Sequence, residues 1–212
     1  MRASYSRSRI LLFSVLVSLF FAASPLFAYL DELTEADVDE AYTLGQRHDQ
    51  DLAKFFKTYE VQFPNAVSGM HVSRIAIRTP YYSVVLNSFL RGSIYPMSQA
   101  RADYAAKPYP FMAVISISLP FANSWSADDL SKPDGRFWKQ FAIEVTQGAK
   151  IPPRAMTARP LYSYGSDGTW ANGAEMLLEY DVRDVASRTI QVRVIGPDRQ
   201  PVSAEFDLDT LK

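Results

Sequence analysis

The chain is predicted to be α+β, mostly β: an N-terminal helical region packed on an antiparallel β-sandwich-like domain that ends in a three-strand meander. Three observations carry this expectation. A capped stretch with helical spacing opens the folded part at about 35–58. Beyond residue 60 several runs alternate apolar and polar residues with the two-residue period of half-buried strands. Residues 175–209 then hold three such runs separated by turn residues.

Everything before residue 29 reads as a removable leader. Arg2, Arg7 and Arg9 stand among the first nine residues with no acid, and Ile10 to Ala23 is an uncharged apolar run of fourteen residues. A positive segment, a short apolar core and a small-residue exit are the parts of a secretory signal. At about 1.5 Å per residue the run spans roughly 21 Å as a helix, short of the ~30 Å hydrocarbon core of a bilayer. Pro25 keeps the helix from lengthening, so cleavage is expected after Ala28. An uncleaved anchor is the competing reading, and it requires the helix to run through that proline. Arg7 and Arg9 are split by Ser8, which points to the general export route rather than the twin-arginine one. Residues 29–212 are then a single exported domain, periplasmic or extracellular, with no stable membrane span once the signal is gone.

No cysteine occurs in the chain. Disulfide staples, thiolate ligands and lipid attachment at cysteine fall away together, so burial must hold the fold. The exported part is long enough, since a domain of about 150 residues buries roughly 70% of its unfolded surface. Of 22 basic and 23 acidic residues, three arginines lie in the leader; the remainder carries a formal charge of −4. That leaves no basic excess for nucleic acid or anionic lipid. An exported chain without cysteine fits a bacterial envelope.

The elements follow in order. Leu33-Thr34-Glu35-Ala36-Asp37-Val38 marks a helix start: Thr34 is the N-cap, Asp37 reaches back to the cap amide, and Leu33 with Val38 makes a hydrophobic staple. Val38, Ala41, Tyr42, Gly45, Leu52, Phe55, Phe56 and Tyr59 form one apolar stripe, expected to lie on the sheet. Polar residues 46–51 divide it, so the region is one helix over 35–58 or two that meet near 46–49. Met70 to Arg78 reads as a strand that stops at Thr79-Pro80, and Tyr81 to Asn87, β-branched and aromatic, reads as another. Phe111 to Ser118 is apolar on both faces, as a central strand is. Phe141, Ile143 and Val145 alternate with Gln140, Ala142 and Glu144. Met176 to Val182, Ile190 to Val194 and Val202 to Leu208 make the meander, its last pair joined by Gly196-Pro197-Asp198. Residues 88–110 and 119–138 are proline-marked irregular segments, the first with a short helical stretch at Met97 to Ala106. A break at 147–153 invites a division in two, but the strands on either side alone are too few for a closed core.

Few constellations carry chemistry. Histidine occurs at 48 and 71 only, and in His48-Asp49-Gln50-Asp51 helical spacing unites just His48 with Asp51, too few ligands for zinc. His71 reads as a strand residue. There is no Gly-x-Ser-x-Gly elbow, no Walker pattern and no Gly-x-Gly-x-x-Gly, so no cofactor and no metal are expected. Asp128, Asp129, Asp167, Glu175, Glu179 and Asp181 are carboxylates of the later half, and a glycosidase would need two of them about 5–10 Å apart across a cleft. The segment Leu161 to Gly173, read as a loop, is the best candidate surface. Tyr162, Tyr164 and Trp170 offer faces for stacking, while Asp167 and Asn172 take hydroxyls or amides. Its Asp-Gly and Asn-Gly pairs are equally the makings of ordinary turns.

These features leave three functional expectations. The first is a non-enzymatic envelope or secreted protein that binds a protein, peptide or glycan partner at Tyr162, Tyr164, Asp167, Trp170 and Asn172. The second is a carboxylate-based hydrolase of cell-wall or extracellular polysaccharide. The third is a structural or assembly component of the envelope held by its N-terminal helix, which requires an exposed apolar strip along Val38, Tyr42, Phe56 and Tyr59.

Overall fold

A computed structural model describes residues 29, 32–64, 69–119, 125–126, 136–166, 168–186 and 188–212; the expected signal over 1–28 lies outside them. The helix start forms as its sequence predicts. α1 (Glu35–Gly45) is capped by Thr34, whose hydroxyl accepts from the Asp37 amide at 3.3 Å while the Asp37 carboxylate accepts from the Thr34 amide at 2.9 Å. Leu33 and Val38, the staple pair, are both buried. The chain breaks at His48, with φ of 49°, and restarts as α2 (Gln50–Thr58), whose cap Asp49 accepts from the Asp51 and Leu52 amides. The stripe is therefore carried by two helices.

The next segment holds a correction. After β1 (Glu60–Gln62) and β2 (His71–Arg78), Tyr81 to Asn87 lies in a helix, α3 (Pro80–Arg91), and not in a strand. Thr79 caps it by accepting from the Tyr82 amide at 3.0 Å, and Pro80 takes the first turn, where a missing amide costs nothing. Tyr81, Val84, Val85 and Ser88 then fall on one buried side. Burial at helical spacing outweighs the strand preference of tyrosine and valine.

α4 (Met97–Ala106) occupies the expected helical stretch. The stripe of α1 meets α3 and α4 rather than a sheet: Val38, Ala41, Leu52, Val84, Val85 and Tyr104 share one apolar cluster, which Phe55 and Phe56 join to the main core. At the α1–α3 crossing a Cβ on Gly45 would lie 2.4 Å from the Val85 carbonyl oxygen, so the backbones approach as only glycine allows. Val38 and Tyr59 are almost fully buried, Tyr42 and Phe56 half-buried. The strip that an envelope-docking helix requires is spent inside the protein.

β3 (Phe111–Ser118) is the central strand, with β2 on one side and β8 (Gly168–Tyr180) on the other, all antiparallel. Beyond β8 lies β7 (Ala155–Gly165), and the two-residue β4 (Trp125–Ser126) pairs the start of β8 on the side of β3. The second sheet contains β5 (Ala142–Gln147), β6 (Ala149–Lys150), β9 (Thr189–Ile195) and β10 (Pro201–Asp207) in the order β10-β9-β5-β6. Ile75, Ile115 and Met176 of the first sheet and Val145, Val192 and Phe206 of the second belong to one buried cluster, the core between two stacked layers. The fold is α+β, mostly β, as expected. Among the described residues no helix is long and apolar enough to cross a membrane.

The closing meander differs in one pairing. β9 and β10 form the expected hairpin, in register from Ile195↔Pro201 to Thr189↔Asp207, whereas β8 belongs to the opposite sheet. Residues 181–188 carry the chain between layers. Buried Gln147 fixes this crossing: its Nε2 donates to the Ala186 carbonyl and its Oε1 accepts from the Ala186 amide, both at 2.9 Å. Alternation marks the buried face of a strand but not its neighbour, so β8 shows the same pattern beside β9 or stacked across from it.

Candidate functional site

β7 is an edge of the first sheet. Among the described residues it pairs β8 along its length and no strand on its other side. The segment expected as a loop lies largely in the two strands of this hairpin, whose last pair is Gly165↔Gly168. Directly paired residues share a face of the sheet. Met156 and Ala158 pair Leu178 and Met176 of the core, so the inner row of β7 is Met156, Ala158, Pro160, Tyr162 and Tyr164.

The hairpin divides the expected binding residues. Tyr162 and Tyr164 stand on the inner row, 38% and 80% exposed, opposite Ala171 and Thr169. Trp170 pairs Ser163 and lies on the outer face, half-buried. Its ring covers Gly165: a Cβ there would be 2.5 Å from Trp170 Cη2, so the indole braces the hairpin tip against bare backbone. Asn172 is the extra residue of a β-bulge, since Leu161 pairs Gly173 and Tyr162 pairs Ala171. Its carbonyl accepts from the Leu119 amide at 2.8 Å and its Nδ2 donates to Ser163 Oγ at 2.6 Å. Asp167 lies outside the described residues. The five expected residues do not form one surface: the tyrosines share a face, and Trp170 and Asn172 hold the hairpin together from the other.

The part of the site that the sequence reading omits begins at residue 155. The second sheet's β10 packs near β2, which leaves its short β6 at the β7 flank, where the chain passes from one strand to the other through 151–154. The inner row overhangs this end, and Met156 is 59% exposed. A cavity of about 690 Å³ opens between the row and a 3₁₀ turn at Phe137–Gln140. Trp138, Phe141, Met156, Ala158 and Met176 form its apolar lining, with Thr157 beside them and Arg136 and Lys139 as its charged members. The signal for this row is the period-two series from Met156 to Tyr164. Pro160 hides it, because proline argues against a central strand yet is at home on an edge.

The outer face of β8 carries the densest charge. The Glu175 side chain, 8% exposed, accepts from Arg159 Nε and Nη2 at 3.1 and 2.6 Å and from Arg74 Nη2 at 3.3 Å, with Arg78 Nη2 at 3.7 Å. Arg74 Nη1 also donates to Glu60 at 3.0 Å. The hydrolase expectation finds no support here. Glu175 and Glu179 are four residues apart on one strand, about 13 Å at ~3.3 Å per residue, beyond the span of a catalytic pair. Hydrogen bonds from the Arg183 side chain hold the Asp181 carboxyl well below the usual carboxylate range. Asp128 and Asp129 lie outside the described residues. His71 Nδ1 faces the Gly69 carbonyl at 3.3 Å, and its Nε2 is buried without a partner. Among the described residues no three His, Cys, Asp or Glu side chains converge to hold a metal ion.

Set beside known proteins, the chain matches no family model, no curated protein and no solved structure.

Proposed function

We propose that the chain is an exported, non-enzymatic binding protein that takes an extended segment of a partner protein or peptide along β7. One observation carries this reading: among the described residues the eleven-residue β7 pairs no strand on its outer side, and its inner row ends in the exposed Tyr162 and Tyr164. An open edge of this length is a template for a further strand, and proteins ordinarily shorten, charge or cover such edges. β7 has two devices of that kind, Pro160 and the charged, exposed Arg159, and both lie mid-strand. Main-chain hydrogen bonds along the edge supply affinity, and side chains at alternate positions supply selectivity. Tyrosine suits a rim that is apolar on its ring and wet at its hydroxyl. Export, with cleavage after Ala28, belongs to the same reading and makes the partner an envelope or extracellular protein.

A photoreactive side chain placed at Tyr164, in protein expressed in its own cell, tests the site. One discrete adduct is expected at 164, none from Glu205 on the opposite edge strand β10, and loss of the adduct on Tyr162→Lys, which sets a charge into the inner row. Equal labelling at both positions, or an adduct indifferent to Tyr162→Lys, removes the edge reading. N-terminal sequencing of the same preparation is expected to begin at Tyr29; a chain recovered from the cytosol with Met1 intact removes the compartment.

A further inference from the structure

We infer that the cavity beneath β7 binds a single-chain anionic amphiphile, a fatty-acid carboxylate, with its chain against the apolar lining and its head between Arg136 and Lys139. The lining divides by chemistry. Trp138 and Phe141 offer rings, Met156 and Met176 thioethers and Ala158 a methyl, and methionine adapts to a flexible chain as few side chains do. Among the described residues that line it there is no carboxylate. Among the described residues Arg136 and Lys139 have no acidic partner; Arg154, Arg188 and Arg199 have none either, but only Arg136 and Lys139 stand beside this apolar lining.

Two uncompensated cations beside an apolar hollow favour an anion that brings its own apolar tail. A free phosphate or a sugar would leave the lining wet, and a neutral chain would leave the cations unused. At ~30 Å³ for each water-sized group, the cavity holds about two dozen such groups, which leaves ample room for a chain of about a dozen carbons and its head. The cavity lies at Met156 to Ala158, away from Tyr162 and Tyr164, so its test does not depend on the partner proposed above.

Titration calorimetry of the purified protein with sodium dodecanoate below its micelle concentration tests this, against dodecan-1-ol and dodecyltrimethylammonium as probes of equal chain. Dodecanoate is expected to bind at least tenfold tighter than either, and decanoate about fifteen-fold weaker than dodecanoate, from two methylenes fewer. Arg136→Glu with Lys139→Glu, both on exposed residues, is expected to lower dodecanoate affinity at least tenfold while the Tyr164 adduct persists. Ala158→Trp, which fills the cavity, is expected to abolish binding of all three probes. Equal affinity for the three probes, no dodecanoate binding, or affinity unchanged by the charge reversal overturns the inference. Loss of the Tyr164 adduct in the wild-type chain bears on the edge reading alone.

Discussion

Replacing Glu175 by alanine perturbs the most heavily charged contact of the fold. Its three arginines are unequally placed. The Arg159 side chain is 67% exposed, while those of Arg74 and Arg78 are half-buried. Without the carboxylate, Arg74 and Arg78 are left, among the described residues, with Glu60, already bound to Arg74, as the one acid within ion-pair distance. The Arg159 pair stands largely in water and contributes about 1 kcal/mol or less. A hydrogen bond from Arg74 to a buried carboxylate is worth about 1.5–3 kcal/mol, and breaking a buried pair while its partners stay charged costs about 3–5 kcal/mol. Because both inner arginines reach solvent in part, the lower end applies, about 3 kcal/mol. In a domain of this size that lowers Tm by roughly 6–12 °C. Urea unfolding is the assay: the midpoint falls and the slope stays constant. Glu175→Gln, which keeps the shape and one acceptor, is expected to lose about half as much, and Arg159→Ala about 1 kcal/mol or less. A loss below 1 kcal/mol for Glu175→Ala, or one equal to that of Arg159→Ala, would show the arginines to be solvated and the reasoning to be wrong.

Three further outcomes are expected. Gly45→Ala would gain about 1 kcal/mol on an open helix, but here the new methyl falls 2.4 Å from the Val85 oxygen and 2.7 Å from Ser88 Cβ. Over-packing of about 1–3 kcal/mol exceeds the gain, so a thermal melt should show a lower Tm, and a rise refutes the close crossing. Gly165→Ala displaces the Trp170 ring and should raise quenching of indole emission by acrylamide while far-ultraviolet circular dichroism holds; unchanged quenching shows that the ring does not cover the tip. Acid should open the helical layer first. Hydrogen bonds from the Arg101 side chain to Asp39, from the Leu52 amide to Asp49 and from the Gln99 side chain to Asp103 hold these three aspartates below their usual pKa. The folded state thus binds fewer protons than the unfolded one; this stability is full above the ordinary aspartate value near ~3.9 and is lost as pH falls through the lowered values. Hydrogen exchange between pH 5 and 2 should show α1 and α4 amides opening before those of β3, with Asp39→Asn already partly open at pH 5; the reverse order sinks the assignment.

Local rules are legible in this sequence wherever neighbouring residues settle them. Thr34 and Asp37 cap α1 because both partners lie within one turn. Phe111 to Ser118 reads as central because a strand with two neighbours and two covered faces is mostly apolar, with Ser116 admitted where Arg74 can donate to it. Tyr81 to Asn87 misleads because its strand-favouring residues are also at helical spacing, and only the Thr79-Pro80 pair ahead of them decides between the two periods. β8 and β9 mislead differently. Each shows its buried face plainly, but the pairing depends on Gln147, buried far away in the chain, which ties down the crossing between layers.

The hairpin of β7 and β8 is hardest to read for a reason that bears on function. A central strand must satisfy two neighbours and two faces, so its composition is narrow. An edge strand satisfies one neighbour, and where the facing sheet is short its inner row is only partly covered. β7 therefore tolerates Pro160, and its partner strand tolerates a bulge at Asn172, residues that read as loop in a one-dimensional pattern. Weak internal constraint leaves the outer edge of β7 without a strand partner among the described residues, and its inner row only partly covered. The same freedom that blurs the strand in the sequence is what the proposed partner would use.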